Sequence, residues 1–241
     1  MTTSPTPDGI NASSASEAPA SARSEIARAE SDEKHRAGPL ALVVDFGGVL
    51  TNSIWECFDA FCRAEGLEQG RLRRLFRENP EARTDLARLE IGEISEAEYA
   101  RRLGALLGVA NTEGLIGRIF ASLTLETRMI QAVQACRSAG MRTGLLTNSW
   151  GYSIYDRDLL ETLFDAIVIS AEVSLRKPQP QIYLLVAERL GVGSRDCIYV
   201  DDLRENCEAA EAVGMTAILH RDPNVTLARL EERLSIPLRS R

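Results

Sequence analysis

A run of five apolar residues, Leu40-Ala41-Leu42-Val43-Val44, ends on Asp45 and passes at once into Phe46-Gly47-Gly48-Val49-Leu50. An unbroken apolar run of strand length predicts a strand buried on both faces. Parallel sheets between two helical layers accommodate such a strand, whereas a sheet with one wet face demands alternation. In those folds the residues at the C-terminal ends of the strands carry the chemistry. Asp45 is therefore the residue to account for. Gly47, two positions on, has no side chain and cannot serve Asp45 as a proton donor.

The remaining texture fits the same fold class. A helix is expected from about Glu126 to Ala139, stopped at Gly140. After it, short apolar segments at Arg142–Leu146, Ala166–Ile169, Cys197–Val200 and Thr216–Leu219 alternate with helical patterns near Tyr155–Leu163, Gln179–Leu190 and Arg204–Val213. This is the order of a parallel α/β sheet covered on both faces, a Rossmann-like three-layer core. Between the first strand and this alternation lies a purely helical stretch. Ile54, Phe58, Phe61 and Cys62 share one face, and Ser95-Glu96-Ala97-Glu98 reads as a capping box that starts a further helix. The expected organisation is a core of residues 39–52 and 124–241 with a helical cap, 53–123, inserted after the first strand.

Residues 1–38 are rich in Ser, Ala, Thr, Pro and Glu and contain no aromatic residue. They read as a disordered extension, with a short helix conceivable near residues 24–34. A hydrophobic content of 44% over 241 residues suffices for a real core. The net charge of -7 argues against broad nucleic-acid binding, which needs basic surface. No segment has the length of a membrane span and the N-terminus lacks the pattern of a secretory signal, so a cytoplasmic protein is expected. Cys57, Cys62, Cys136, Cys197 and Cys207 lack metal-type spacing and read as free thiols. His35 and His220 support neither a zinc centre nor a triad. Oligomeric state is not legible.

Polar groups stand at four strand ends or the loops behind them: Asp45, Thr147-Asn148-Ser149, Arg176-Lys177-Pro178 and Asp201-Asp202. Carboxylates brought together in a fold repel unless a cation joins them, so a magnesium ion suits this set. Magnesium with a lysine is also what a phosphoryl group requires. Each residue has an ordinary structural use as well. Thr147 could satisfy the next turn, and Asp201-Asp202 could cap the following helix.

In their order, Val43-Val44-Asp45-Phe46-Gly47-Gly48-Val49-Leu50, Leu145-Leu146-Thr147-Asn148, Lys177-Pro178 and Tyr199-Val200-Asp201-Asp202 with Asn206 resemble the four motifs of the haloacid dehalogenase-like (HAD) hydrolase superfamily. The resemblance covers residues 40 to about 221. It is to the phosphatase branch with a helical cap after the first motif, similar to the phosphatase-like N-terminal domain of soluble epoxide hydrolase.

The resemblance implies a magnesium-dependent phosphatase acting on a small phosphorylated substrate through an aspartyl-phosphate on Asp45. Thr147 and Lys177 would support the phosphoryl group. Gly48, Asn52 and Asn148 would contact substrate, beside Thr51, Trp55 and Arg83 or Arg88. Mg2+ would be held by Asp45, the Gly47 carbonyl, Asp202 and Asp201, with Asp202 a direct ligand, Asp201 acting directly or through water, and Asn206 orienting the carboxylate. Gly47 departs from the family's common pattern, which has an acid-base Asp there, so slow turnover or good leaving groups are expected. Two rivals remain: displacement of halide from a 2-haloacid by Asp45, and a catalytically feeble binding or regulatory protein.

Overall fold

The computed structural model describes residues 41–238; the expectations for residues 1–38 lie outside the described residues. Strand β1 (Ala41–Val44) is followed by helices α1 (Ile54–Ala64), α2 (Arg71–Glu78), α3 (Pro80–Glu90), α4 (Glu96–Leu107) and α5 (Leu115–Ile119) with no strand between them. Strands and helices then alternate: α6 (Thr127–Ser138), β2 (Arg142–Thr147), α7 (Arg157–Leu163), β3 (Ala166–Ile169), the single turn α8 (Ser170–Val173), α9 (Pro180–Leu190), β4 (Cys197–Asp201), α10 (Arg204–Ala212), β5 (Thr216–Leu219) and α11 (Pro223–Leu234). None of the described helices is long and apolar enough to cross a membrane.

The five strands form one parallel sheet in the order β3-β2-β1-β4-β5. β1 occupies the centre of the sheet and is buried along its whole length. Its alternation sends Leu42 and Val44 to one face, against Met129, Val133, Leu160 and Leu230 of α6, α7 and α11. Ala41 and Val43 go to the other, against Ile182, Tyr183 and Val186 of α9 and Ala210 of α10. Val44 stands opposite Leu145 on one side and Val200 on the other. The residues just past these positions are therefore forced into one crevice.

Two strands run one residue beyond the sequence expectation. Thr147 pairs with Ile169 and Asp201 with Leu219, so the parallel ladders carry both polar residues to the sheet edge. Helix α11 was not expected. Its start is coded locally, since the Asp222 carboxylate accepts from the Val225 amide and Pro223 occupies the first turn. At Ser95 half of the capping box forms: the hydroxyl accepts from the Glu98 amide at 3.1 Å, while the Glu98 carboxylate turns instead to Arg102 at 2.7 Å.

The helical insert has its own apolar centre, built from Phe58, Phe61, Leu72, Leu89, Leu103 and Ile116 among others. Chain enters and leaves it side by side through an antiparallel bridge between Thr51 and Leu125. The Asn52 amide donates to the Thr124 carbonyl, and the Asn52 Oδ1 accepts from the Thr124 amide, both at 2.9 Å. Asn52 thus uses backbone and side chain together to close the crossing. Asn52→Ala should lower stability by about 1 kcal/mol, measured by urea denaturation, because the Thr124 amide at a partly exposed site falls back on water.

Candidate active site

Lys177 lies at the centre of the crevice. Its side chain is only 2% exposed, and Nζ stands 2.9 Å from Asp45 Oδ1 and 2.7 Å from Asp201 Oδ2. Burial alone would push the ammonium down, but the facing Asp201 and Asp45 carboxylates outweigh it and hold Lys177 above its ordinary range. The loop that delivers Lys177 is fastened by Asn148, whose Oδ1 accepts from the Lys177 amide at 2.8 Å and whose Nδ2 donates to the Lys177 carbonyl at 3.2 Å.

The two buried carboxylates are not equivalent. Asp201 is saturated: Oδ1 accepts from the Leu203 amide at 2.8 Å and Asn206 Nδ2 at 3.0 Å, and Oδ2 accepts from Lys177, from the Tyr199 hydroxyl and from Asn206 at 3.1 Å. In Asp45, Oδ1 accepts from its neighbour's amide, Phe46 N, at 2.7 Å, as well as from Lys177. Oδ2 is left with its lone pairs uncommitted among the described residues. Burial first, then the nearby Asp201 and Asp202 charges, push Asp45 up to about 7 against the opposing pull of Lys177. Asp202 is pushed up to about 6 by burial and by Asp201.

Oxygens of Asp45, Asp201 and Asp202 lie within 4.8 Å of one another. An all-oxygen set of this kind suits a hard divalent cation. Asp45 and Asp202 each offer a carboxylate oxygen to such a cation, beside the saturated Asp201. The Gly48 position explains its glycine. Its φ is +74°, and a Cβ there would come within 2.6 Å of Asp202 Oδ2. At Gly47 a Cβ would instead meet Ile54 Cδ1 at 2.5 Å, so a larger residue there requires the tip of this α1 side chain to shift.

A cavity of about 500 Å3 opens over these groups, lined by Asp45, Gly47, Thr147, Asn148, Lys177, Asp202 and Asn206 from the core and by Ile54, Phe58, Phe76, Arg83, Glu90 and Phe120 from the insert. The haloacid dehalogenase-like hydrolase profile matches residues 40–214. The chain belongs to the haloacid dehalogenase-like hydrolases. It is 30% identical to the bifunctional epoxide hydrolase 2 of Rattus norvegicus over 49% of this chain, and that match spans only 23% of the rat protein. It is 27% identical to hexitol phosphatase B of Escherichia coli O157:H7 over 80% of this chain and 90% of that one. A HAD family enzyme from Bacteroides thetaiotaomicron, solved in complex with magnesium and inorganic phosphate, shares the fold at a TM-score of 0.59 and 22% identity, over 76% of this chain and 95% of that one.

Gly48, Thr51 and Asn52, expected to contact substrate in this HAD hydrolase, do not line the cavity. The Gly48 amide is taken by Thr51 Oγ1 at 3.1 Å, and Asn52 is engaged in the crossing. Arg83 and Trp55 line the cavity; Arg88 does not, being paired with Glu93 at 2.7 Å. The five cysteines are buried and free, and His220 is paired with Thr226 away from the cavity. Glu90, Trp150 and Tyr155 were not singled out in the sequence, yet all three line the cavity. Trp150 follows the Thr147 segment directly, a signal that was there to use. Glu90 carries none.

Two outcomes follow from the buried charges. Lys177→Met leaves Asp45 and Asp201 facing each other without a cation, and should cost about 3–5 kcal/mol in metal-free denaturation at neutral pH. A carboxyl whose folded pKa lies above its ordinary 3.8 contributes its stability in the protonated state. Through Asp45 and Asp202 the metal-free protein should therefore lose stability as pH rises from about 4 through 7. Millimolar Mg2+ should raise Tm at about pH 8 and leave it nearly unchanged at about pH 5, where protons hold the site.

Proposed function

We propose that this hydrolase is a magnesium-dependent phosphatase of small phosphorylated metabolites, acting through an aspartyl-phosphate on Asp45. The observation that carries the reading is the division of labour between the two carboxylates bridged by Lys177: Asp201 is fully bonded and anchors the lysine, while Asp45 keeps one oxygen uncommitted in the cavity wall. The names of relatives such as hexitol phosphatase B favour the same class.

Asp45, Asp202 and the Gly47 carbonyl would hold Mg2+, which when bound neutralises charge on the phosphoryl oxygens. The Asp45 Oδ2 attacks phosphorus, and the bond from phosphorus to the leaving oxygen breaks. Lys177 neutralises Asp45 Oδ1 and offers its remaining proton to the phosphoryl group. The preorganised Asn148 clasp and the Asp201 anchor mean that this costs no reorganisation. Thr147, in the same wall, donates to a phosphoryl oxygen in place of its long 3.3 Å bond to the Asn148 carbonyl. Water then cleaves the acyl phosphate and restores the carboxylate. The Asp201–Asp202 pair speaks against the haloacid reaction, which needs no cation.

The test is hydrolysis of 4-nitrophenyl phosphate with Mg2+ and after chelation. Wild type should require the metal, and Asp45→Asn should lose at least about 10³-fold in kcat. A quenched wild-type reaction should show one added phosphoryl group by mass. Equal rates in wild type and Asp45→Asn would sink the mechanism, and halide release from a 2-haloacid in chelator would put the dehalogenase reading in its place.

A further inference from the structure

The phosphoryl-binding groups occupy only part of the cavity, and the rest of its wall is aromatic. Trp150 stands edge-on to Phe120, Phe58 and Phe76, with ring centroids 5.4, 5.5 and 5.7 Å away. All four rings line the cavity, as do Trp55 and Leu203, each 41% exposed, which form an apolar rim to solvent. A cavity of about 500 Å3 is large enough to enclose most of a small organic ligand.

Several of the polar groups in this part of the wall are already engaged. Arg83 Nη1 donates to the carbonyls of Phe76 and Arg77 at 3.0 and 2.8 Å, and Arg176 is paired with Glu90. A sugar or nucleotide leaving group would bury hydroxyls or amides that need partners, and an unpaired one costs more than its burial returns. Hydrocarbon meets no such penalty.

A second, independent observation concerns the leaving oxygen. Gly47 offers no proton, and the apolar Ile54 side chain lies beside it. Of the other carboxylates lining the cavity besides Asp45 and Asp202, Glu90 is held by Arg176, and Glu205 is exposed on the first turn of α10. An alkoxide departs badly without protonation, whereas a phenolate or enolate departs well.

On the phosphatase reading above, we propose that the substrate is the phosphomonoester of a bulky phenol, its apolar body lodged among Phe58, Phe76, Phe120 and Trp150. Asp45 Oδ2 forms the bond to phosphorus. The P–O bond to the aryl group breaks, and its electron pair leaves as phenolate, which takes a proton from solvent. Water then releases inorganic phosphate from Asp45.

The experiment uses 4-alkylphenyl phosphates from methyl to hexyl with Mg2+, a series in which the leaving oxygen keeps nearly constant acidity while the apolar body grows. kcat/KM should rise about two- to fourfold per methylene until the cavity is filled. Hexyl phosphate should be turned over at least about 100-fold more slowly than the matched aryl ester. Binding is read without catalysis from tryptophan fluorescence, since both tryptophans of the chain, Trp55 and Trp150, line the cavity. The corresponding 4-alkylphenols should bind with affinity rising along the same series, and Phe76→Ser should flatten both trends. A flat series in rate and in binding overturns the assignment while leaving the phosphatase reading intact. Faster turnover of hexyl phosphate also overturns it. Rising binding with no hydrolysis above the Asp45→Asn level overturns the phosphatase reading, and the substrate assignment with it.

Discussion

The structure depends on one ammonium group. Parallel pairing sets Val44 beside Val200, so Asp45 and Asp201 must emerge next to each other at the buried edge of the sheet. Two carboxylates in that position repel, and burial deprives them of water. Lys177 resolves this by standing between them, within ion-pair distance of both. Such an arrangement is a poor source of net stability, since removing three ionisable groups from water costs about as much as their attraction returns. What it supplies is order: a fixed cation, one saturated carboxylate and one carboxylate with an oxygen to use.

The helical insert depends on that edge in turn. It leaves and rejoins the core through the paired segments at Thr51 and Leu125, a few residues from Asp45, so its apolar centre is held over the crevice. Further contacts fix its far side. Ser170 Oγ donates to the Glu90 carbonyl, Arg176 pairs with the Glu90 carboxylate, and the Tyr152 amide and Ser153 hydroxyl donate to Glu96. The same insert places Ile54 against Gly47 and the aromatic rings above it. The insert thus supplies both the side chain beside position 47 and the apolar part of the cavity wall.

Much of this was legible in the sequence, for identifiable reasons. β1 declares itself because a strand buried on both faces must be apolar without interruption. Asp45, Thr147, Lys177 and Asp202 could be named because α/β chains present such groups at strand ends, and each is marked by its neighbours in the chain. Asn52 and Gly48 were expected beside the substrate for the same reason. They lie close to Asp45 in sequence, but one closes the crossing into the insert and the other gives its amide to Thr51.

The sequence by itself determined the layered α/β core, the helical insert and the set of polar residues at the sheet edge, because apolar periodicity and glycine turns are local properties of the chain. Only the tertiary structure decided how those residues divide their work. That Asp201 is saturated while Asp45 is not, that Asn148 holds Lys177, and that Glu90 and Trp150 join the cavity wall all follow from contacts between segments tens of residues apart. Hydrogen-bond saturation is a sum over partners in space, and no local pattern of residues carries it.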